Sequence, residues 1–141
     1  MPLPSDNHGI ERKNTMDLQF LEFDHSEDTE GVVCWDALAQ PAACHNPALL
    51  REVTLLLNWA YRFSPQGPGS LEDGADWDFD LQIWLHSPDE QRSVAAQAQW
   101  LSSAQTLDIR PLPGPDERLE LSLSLSGTPG FAQAFREQFG L

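Results

Sequence analysis

Basic residues are scarce in this chain. Eight lysines and arginines stand against 22 aspartates and glutamates, leaving a formal charge of −14 over 141 residues. Small soluble domains ordinarily carry a net charge of magnitude about 2 to 8. So negative a field repels DNA, RNA and anionic membranes, and attracts basic proteins and divalent cations. Direct binding of nucleic acid is therefore not expected, and a basic protein surface is the favoured partner class.

Cysteine is nearly absent. Cys34 and Cys44 are too few for a disulfide framework. No apolar run approaches the roughly 18 residues of a membrane span, and no apolar segment follows a basic start as in a secretory signal. These absences predict a cytoplasmic protein with both thiols reduced and partly buried. Sequence motifs of catalysis are missing too. There is no G-x-S-x-G, no G-x-x-x-x-G-K-[ST] and no dinucleotide fingerprint. Gly67–Ser70 lacks the lysine of a phosphate loop.

What the chain does have is enough apolar material for a core. Its hydrophobic fraction is 40%, with five tryptophans, which places it among folded domains rather than disordered chains. Residues 1–15 are polar and without periodicity. They are expected to form a disordered tail, or to lie upstream of a start at Met16. Residues 16–141 are expected to form a single α+β domain.

The pattern within that domain predicts the elements. Leu18–Phe23 is short, apolar and aromatic, as a strand would be, and Asp24–Gly31 is polar and ends in glycine, as a loop would. Val32–Ala39 fits a second strand, making a hairpin with the first. Asn46 is a good N-cap and Pro47 a good first helical residue. Leu49, Val53, Leu56, Ala60 and Phe63 then recur at helical spacing, widened by Leu50 and Leu57. The helix should run from Pro47 to Phe63 and end at the proline- and glycine-rich loop that follows.

Asp76–His86 alternates as a half-buried strand does. Trp77, Phe79, Leu81, Ile83 and Leu85 fall on one face, and Asp76, Asp78, Asp80, Gln82, Trp84 and His86 on the other. Ser93–Leu101 suits strand or helix, and Thr106–Arg110 a short strand. Leu119, Leu121, Leu123 and Leu125 alternate with polar residues in the clearest strand of all. Gly127 ends it, Thr128 caps a final helix begun by Pro129, Phe131, Phe135 and Phe139 form its core stripe, and Gly140 stops it. The expected fold is α+β, with element order ββ-α-ββββ-α. It is an antiparallel sheet of about five to six strands with two helices on one face and the other face wet.

Candidate sites follow from that layout. Asp76, Asp78 and Asp80 would stand about 7 Å apart along one strand face, with Trp84 and His86 as exposed anchors. This acidic face suits a non-catalytic interaction module that binds a basic partner, since tryptophan is enriched at interface hot spots. A solvated edge strand whose charges prevent edge-to-edge pairing explains the same residues. The spacing also matches the carboxylate pair of an inverting glycosidase, as any strand of alternating acids would.

Asp24, Asp28 and Glu30 are weak metal candidates. The calcium-loop pattern from Asp24 would need glycine at Thr29 and glutamate at Trp35, and fails at both. Cys34, Cys44, His45 and His25 lack the close-pair spacing of structural zinc ligands. No cofactor is expected. Two other readings stand beside the interaction module. One is a small hydrolase using a divalent cation held by carboxylates; the other is a homodimer that pairs sheet edges or buries Trp84 across a two-fold axis.

Overall fold

A strand of alternating leucines organises the structure, a computed structural model that describes residues 16–141. The expected tail, residues 1–15, lies outside the described residues. Six strands form one antiparallel sheet: β1 (Asp24–Glu27), β2 (Val33–Ala39), β3 (Trp77–His86), β4 (Ser93–Leu101), β5 (Thr106–Arg110) and β6 (Arg118–Gly127). Helix α1 (Asn46–Phe63) lies between β2 and β3 in the chain, and helix α2 (Pro129–Phe139) follows β6. The spatial order is β1-β2-β6-β3-β4-β5, so the last strand in sequence is inserted between the second and third. This is the expected α+β architecture and element order.

Position and pattern explain each other at β6. It pairs with β2 from Val33↔Gly127 to Ala39↔Leu121 and with β3 from Trp77↔Gly127 to His86↔Arg118. Leu119, Leu121, Leu123 and Leu125 are buried beneath the helices while the serines between them face outward. Such strict alternation suits an interior strand of a sheet with one wet face. Trp35 and Ala37 of β2 and Trp77, Ile83 and Leu85 of β3 complete the buried side, with Phe79 and Leu81 packed against it.

The helices close that side with rings. Phe131 of α2 stacks on Trp77 with centroids 5.7 Å apart, and Phe135 packs on Trp35 at 4.7 Å. Trp59 of α1 contacts Phe131, Phe135 and Phe139. On its other flank Tyr61 stacks on Trp100 of β4 and meets Trp77 edge-on. Burial in this setting pushes the Tyr61 phenol above its ordinary pKa, because desolvation penalises the phenolate. Thr128 accepts a hydrogen bond from Phe131 N–H, and Gly140 ends α2 at φ 70°, as the sequence predicts. The segment left open, Ser93–Leu101, is a strand.

Three expectations are corrected. Leu18–Phe23 is not a strand; the partner of β2 is Asp24–Glu27, which had read as loop. The apolar residues of the segment change phase, with Leu18 and Phe20 in one register and Leu21 and Phe23 in the other. A flat strand would turn one pair to water. The segment instead lies as an irregular arm on the core, held by Glu52 of α1, whose carboxylate accepts N–H bonds from Gln19, Phe20 and Leu21 at 2.6, 3.0 and 2.8 Å.

Asn46 does not cap α1, which begins at Asn46 itself with no side-chain cap bond. Its buried amide donates to the Glu117 carbonyl and accepts from Leu119 N–H, tying the helix start to the start of β6. Cys34 and Cys44 are free and exposed rather than partly buried. Cys34 falls on the wet side of β2, and Cys44 lies in a short 3-10 turn before α1.

Two substitutions test this architecture. A Cβ on Gly127 would collide with Phe131 Cδ2 and lie 3.0 Å from its Cγ, so Gly127→Ala should cost about 1–3 kcal/mol by overpacking, read by urea denaturation. Glu52→Ala should cost about 1–3 kcal/mol by leaving part-buried N–H groups unbonded. Hydrogen exchange should then speed up at Gln19, Phe20 and Leu21 while the β6 amides stay protected.

Candidate functional site

The alternation that buries the leucines of β6 sends a second set of side chains to the opposite face, away from α1 and α2. The register arranges them in rows across the strands. One row runs Ser26, Cys34, Ser126, Asp78, and the next Asp24, Asp36, Ser124, Asp80. Then come Leu38, Ser122 and Gln82, followed by Glu120, Trp84 and Ala95, and last Arg118, His86 and Ser93. Neighbouring strands lie about 4.8 Å apart and rows about 7 Å apart.

Asp24, Asp36, Asp78 and Asp80 thus gather within two adjacent rows. Among the described residues the ion pairs are His86–Glu120, Arg110–Asp108 and Arg118–Glu90, so none neutralises these four aspartates. Their hydrogen bonds are local. Asp36 accepts from the Ser124 hydroxyl at 2.6 Å, Asp78 from Phe79 N–H at 2.9 Å, and Asp80 from the Gln82 amide at 3.2 Å. Beside them Leu38 is 59% exposed and Trp84 42%. Beyond the first row an open hollow of about 560 Å³ is lined by Asp28, Glu30, Glu72 and Asp78 together with Val32 and Leu71.

The structure separates the sequence-stated candidates into groups. Asp78 and Asp80 stand on the open face with Trp84. Asp76 precedes β3, and its carbonyl accepts Thr128 N–H at 3.0 Å. His86 is not a free anchor: its side chain is only 20% exposed and is engaged on both ring nitrogens. Of the metal candidates, Asp28 is occupied in the β1–β2 turn, where Oδ1 accepts N–H bonds from Glu30 and Val32 at 2.8 and 2.9 Å. Asp24 pairs across the sheet with Asp36. Among the described residues no group of three or more His, Cys, Asp or Glu side chains is disposed to hold a metal ion.

At the far end of the face lies an arrangement not read from the sequence. His86 Nδ1 is 2.7 Å from Ser93 Oγ, and Nε2 is 2.8 Å from Glu120 Oε1. The three side chains come from β4, β3 and β6. A carboxylate can only accept, so Nε2 carries a proton, and whenever the ring is neutral Nδ1 is left to accept from the Ser93 hydroxyl. Alternation within β2 and β6 would have placed Asp36 and Glu120 outward. Ser93 had no such signal, because strand and helix fitted its segment equally.

The turn joining β3 to β4 holds Ser93 opposite His86. The Ser87 hydroxyl donates to Asp89 Oδ1 at 2.6 Å and accepts Arg92 N–H at 3.1 Å, while Ser87 N–H bonds the Arg92 carbonyl. Asp89 also accepts from Gln91 N–H at 3.1 Å.

No protein-family model, curated protein or solved structure matches this chain. Its chemistry is therefore read from the geometry alone.

The hydroxyl of Ser87, followed by the Gln91 N–H, holds the Asp89 carboxyl below its ordinary pKa. A carboxyl so lowered stabilises the turn above the unfolded-state value, and that contribution is lost as pH falls through its own lower value. Ser87→Ala should bring the Asp89 titration midpoint back up, as followed by carboxyl-carbon NMR. An unchanged midpoint would assign the lowering to the backbone donor.

Proposed function

We propose that this chain is a protein-interaction module that binds a basic partner through the open face of its sheet. The reading is carried by one observation: Asp24, Asp36, Asp78 and Asp80 share two adjacent rows in which, among the described residues, no ion pair reaches them, on a face that neither α1 nor α2 covers. Like charges this close are mutually destabilising, and a lysine- or arginine-rich surface relieves that repulsion on docking. Leu38, one row further on, and Trp84, two rows on, supply the apolar contact that charge alone lacks. The net charge of −14 adds long-range steering toward such a partner.

The other two readings have less support. A metal-dependent hydrolase needs a ligand set, and the acids lining the hollow do not form one among the described residues. A homodimer through this face would set like-charged rows against each other. No helix among the described residues is long and apolar enough to cross a membrane. Two exposed free thiols are in keeping with a reducing compartment, so we place the module in the cytoplasm.

The test is a titration of the intact chain with a lysine- and arginine-rich peptide at several salt concentrations, with amide shifts mapped by NMR. Shifts should centre on β2, β6 and the first half of β3, and affinity should fall steeply with salt. The variant carrying Asp36→Asn, Asp78→Asn and Asp80→Asn should bind more weakly with a flatter salt dependence. Unchanged affinity in that variant would sink the proposal.

A further inference from the structure

We propose that Ser93, His86 and Glu120 form a nucleophilic relay, with Ser93 as the attacking hydroxyl toward carboxylic esters whose acyl part lies on Trp84. This inference concerns the end of the face away from the aspartate rows. It stands or falls separately from the docking function.

A serine hydroxyl is a poor nucleophile until a neighbouring base takes its proton, and that base works best when a third group fixes its tautomer. Both conditions are met. Glu120 Oε1 lies 2.8 Å from Nε2 and accepts its proton in a hydrogen bond, so that in the neutral ring the Nδ1 lone pair faces Ser93 Oγ, 2.7 Å away. In the familiar serine-hydrolase triad the hydroxyl meets Nε2 and the acid meets Nδ1. The nitrogens are exchanged here, but the relay requires only that one nitrogen accept while the acid holds a proton on the other. His86 is mostly covered and bonded to the strands on both sides, so its ring is held in place, whereas Ser93 is exposed to an incoming substrate.

The register supplies the substrate platform. Trp84 pairs with Ala95 and His86 with Ser93, so Trp84 and Ser93 are diagonal neighbours about 7–8 Å apart. A short acyl chain resting on the exposed indole places its carbonyl at the serine. Ser93 Oγ then bonds to the carbonyl carbon as its proton passes to His86 Nδ1. The ester C–O bond breaks, and the departing alcohol takes that proton, leaving an acyl ester on Ser93. Water attacks that ester with His86 again as the base, releasing a carboxylic acid and restoring the hydroxyl.

The experiment treats the intact chain with diisopropyl fluorophosphate and, separately, with p-nitrophenyl butyrate. The expected result is a single phosphoryl adduct, formed with loss of fluoride and localised to Ser93 by peptide mass spectrometry. The ester should give a stoichiometric burst of p-nitrophenolate. Ser93→Ala should abolish adduct and burst. Glu120→Gln should slow acylation, and His86→Ala should slow it about a hundredfold or more. Because Glu120 is a positioning residue, its substitution should lower the acylation rate constant while leaving KM and the melting temperature unchanged. No adduct on the folded parent chain, an adduct retained in Ser93→Ala, or turnover by the imidazole without acyl-Ser93 would each overturn the proposal.

Discussion

Everything in this fold depends on β6 being paired on both edges while its leucines are buried on one side. Interior strands satisfy their backbone groups on two flanks, and β6 does so against β3 from Arg118 to Gly127 and against β2 from Leu121 to Gly127. The four leucines then make up the floor of the core, and the rings of α1 and α2 have a continuous surface to cover. The strand's last residue is a glycine because Phe131 packs directly over it. That close approach lets α2 fold back at once, with Thr128 capping the helix and bonding the Asp76 carbonyl. Asn46 secures the other end by bonding the start of β6.

The exposed face is a consequence of the same constraint. Period-two alternation cannot bury leucines without turning the intervening side chains outward, and in β6 those are serines, one glutamate and one arginine. Serines are small, so they separate Asp36 of β2 from Asp78 and Asp80 of β3 without neutralising them. Asp36 and Asp80 sit on either side of Ser124, and only a hydroxyl answers Asp36. Further along the same strand, Glu120 meets a histidine instead, and the face changes from aspartates that no ion pair reaches among the described residues to a bonded chain. Two kinds of chemistry thus share one sheet surface, divided by the row of Leu38, Ser122 and Gln82.

Local pattern was a good guide where one periodicity held. The stripe of α1, the alternation of β3 and β6, and the phenylalanines of α2 each carried a single signal, and the structure follows them. It misled where the signal was mixed. Leu18–Phe23 has strand-like composition, but its apolar residues shift phase midway, and a carboxylate from α1 takes the N–H groups that a neighbouring strand would use. Asp24–Glu27 has the composition of a loop and is a strand because the free edge of β2 offers it partners. Asn46 has the chemistry of a helix cap, yet a buried carbonyl and N–H of a distant segment bind its amide instead.

The sequence by itself determined the class of fold, the element order, the helix-facing core and the sign of the surface field. Those follow from composition and from periods of 2.0 and 3.6 residues, which are properties of neighbours along the chain. Tertiary structure alone decided which polar residues meet. Inserting β6 between β2 and β3 brings Asp36 into line with Asp80, and the turn after β3 sets Ser93 beside His86 while Glu120 approaches from the other flank. Rows across a sheet are set by strand order and register. Both are fixed by contacts between residues far apart in the chain, so the acidic face as a surface, and the Ser93–His86–Glu120 chain within it, exist only once the sheet has formed.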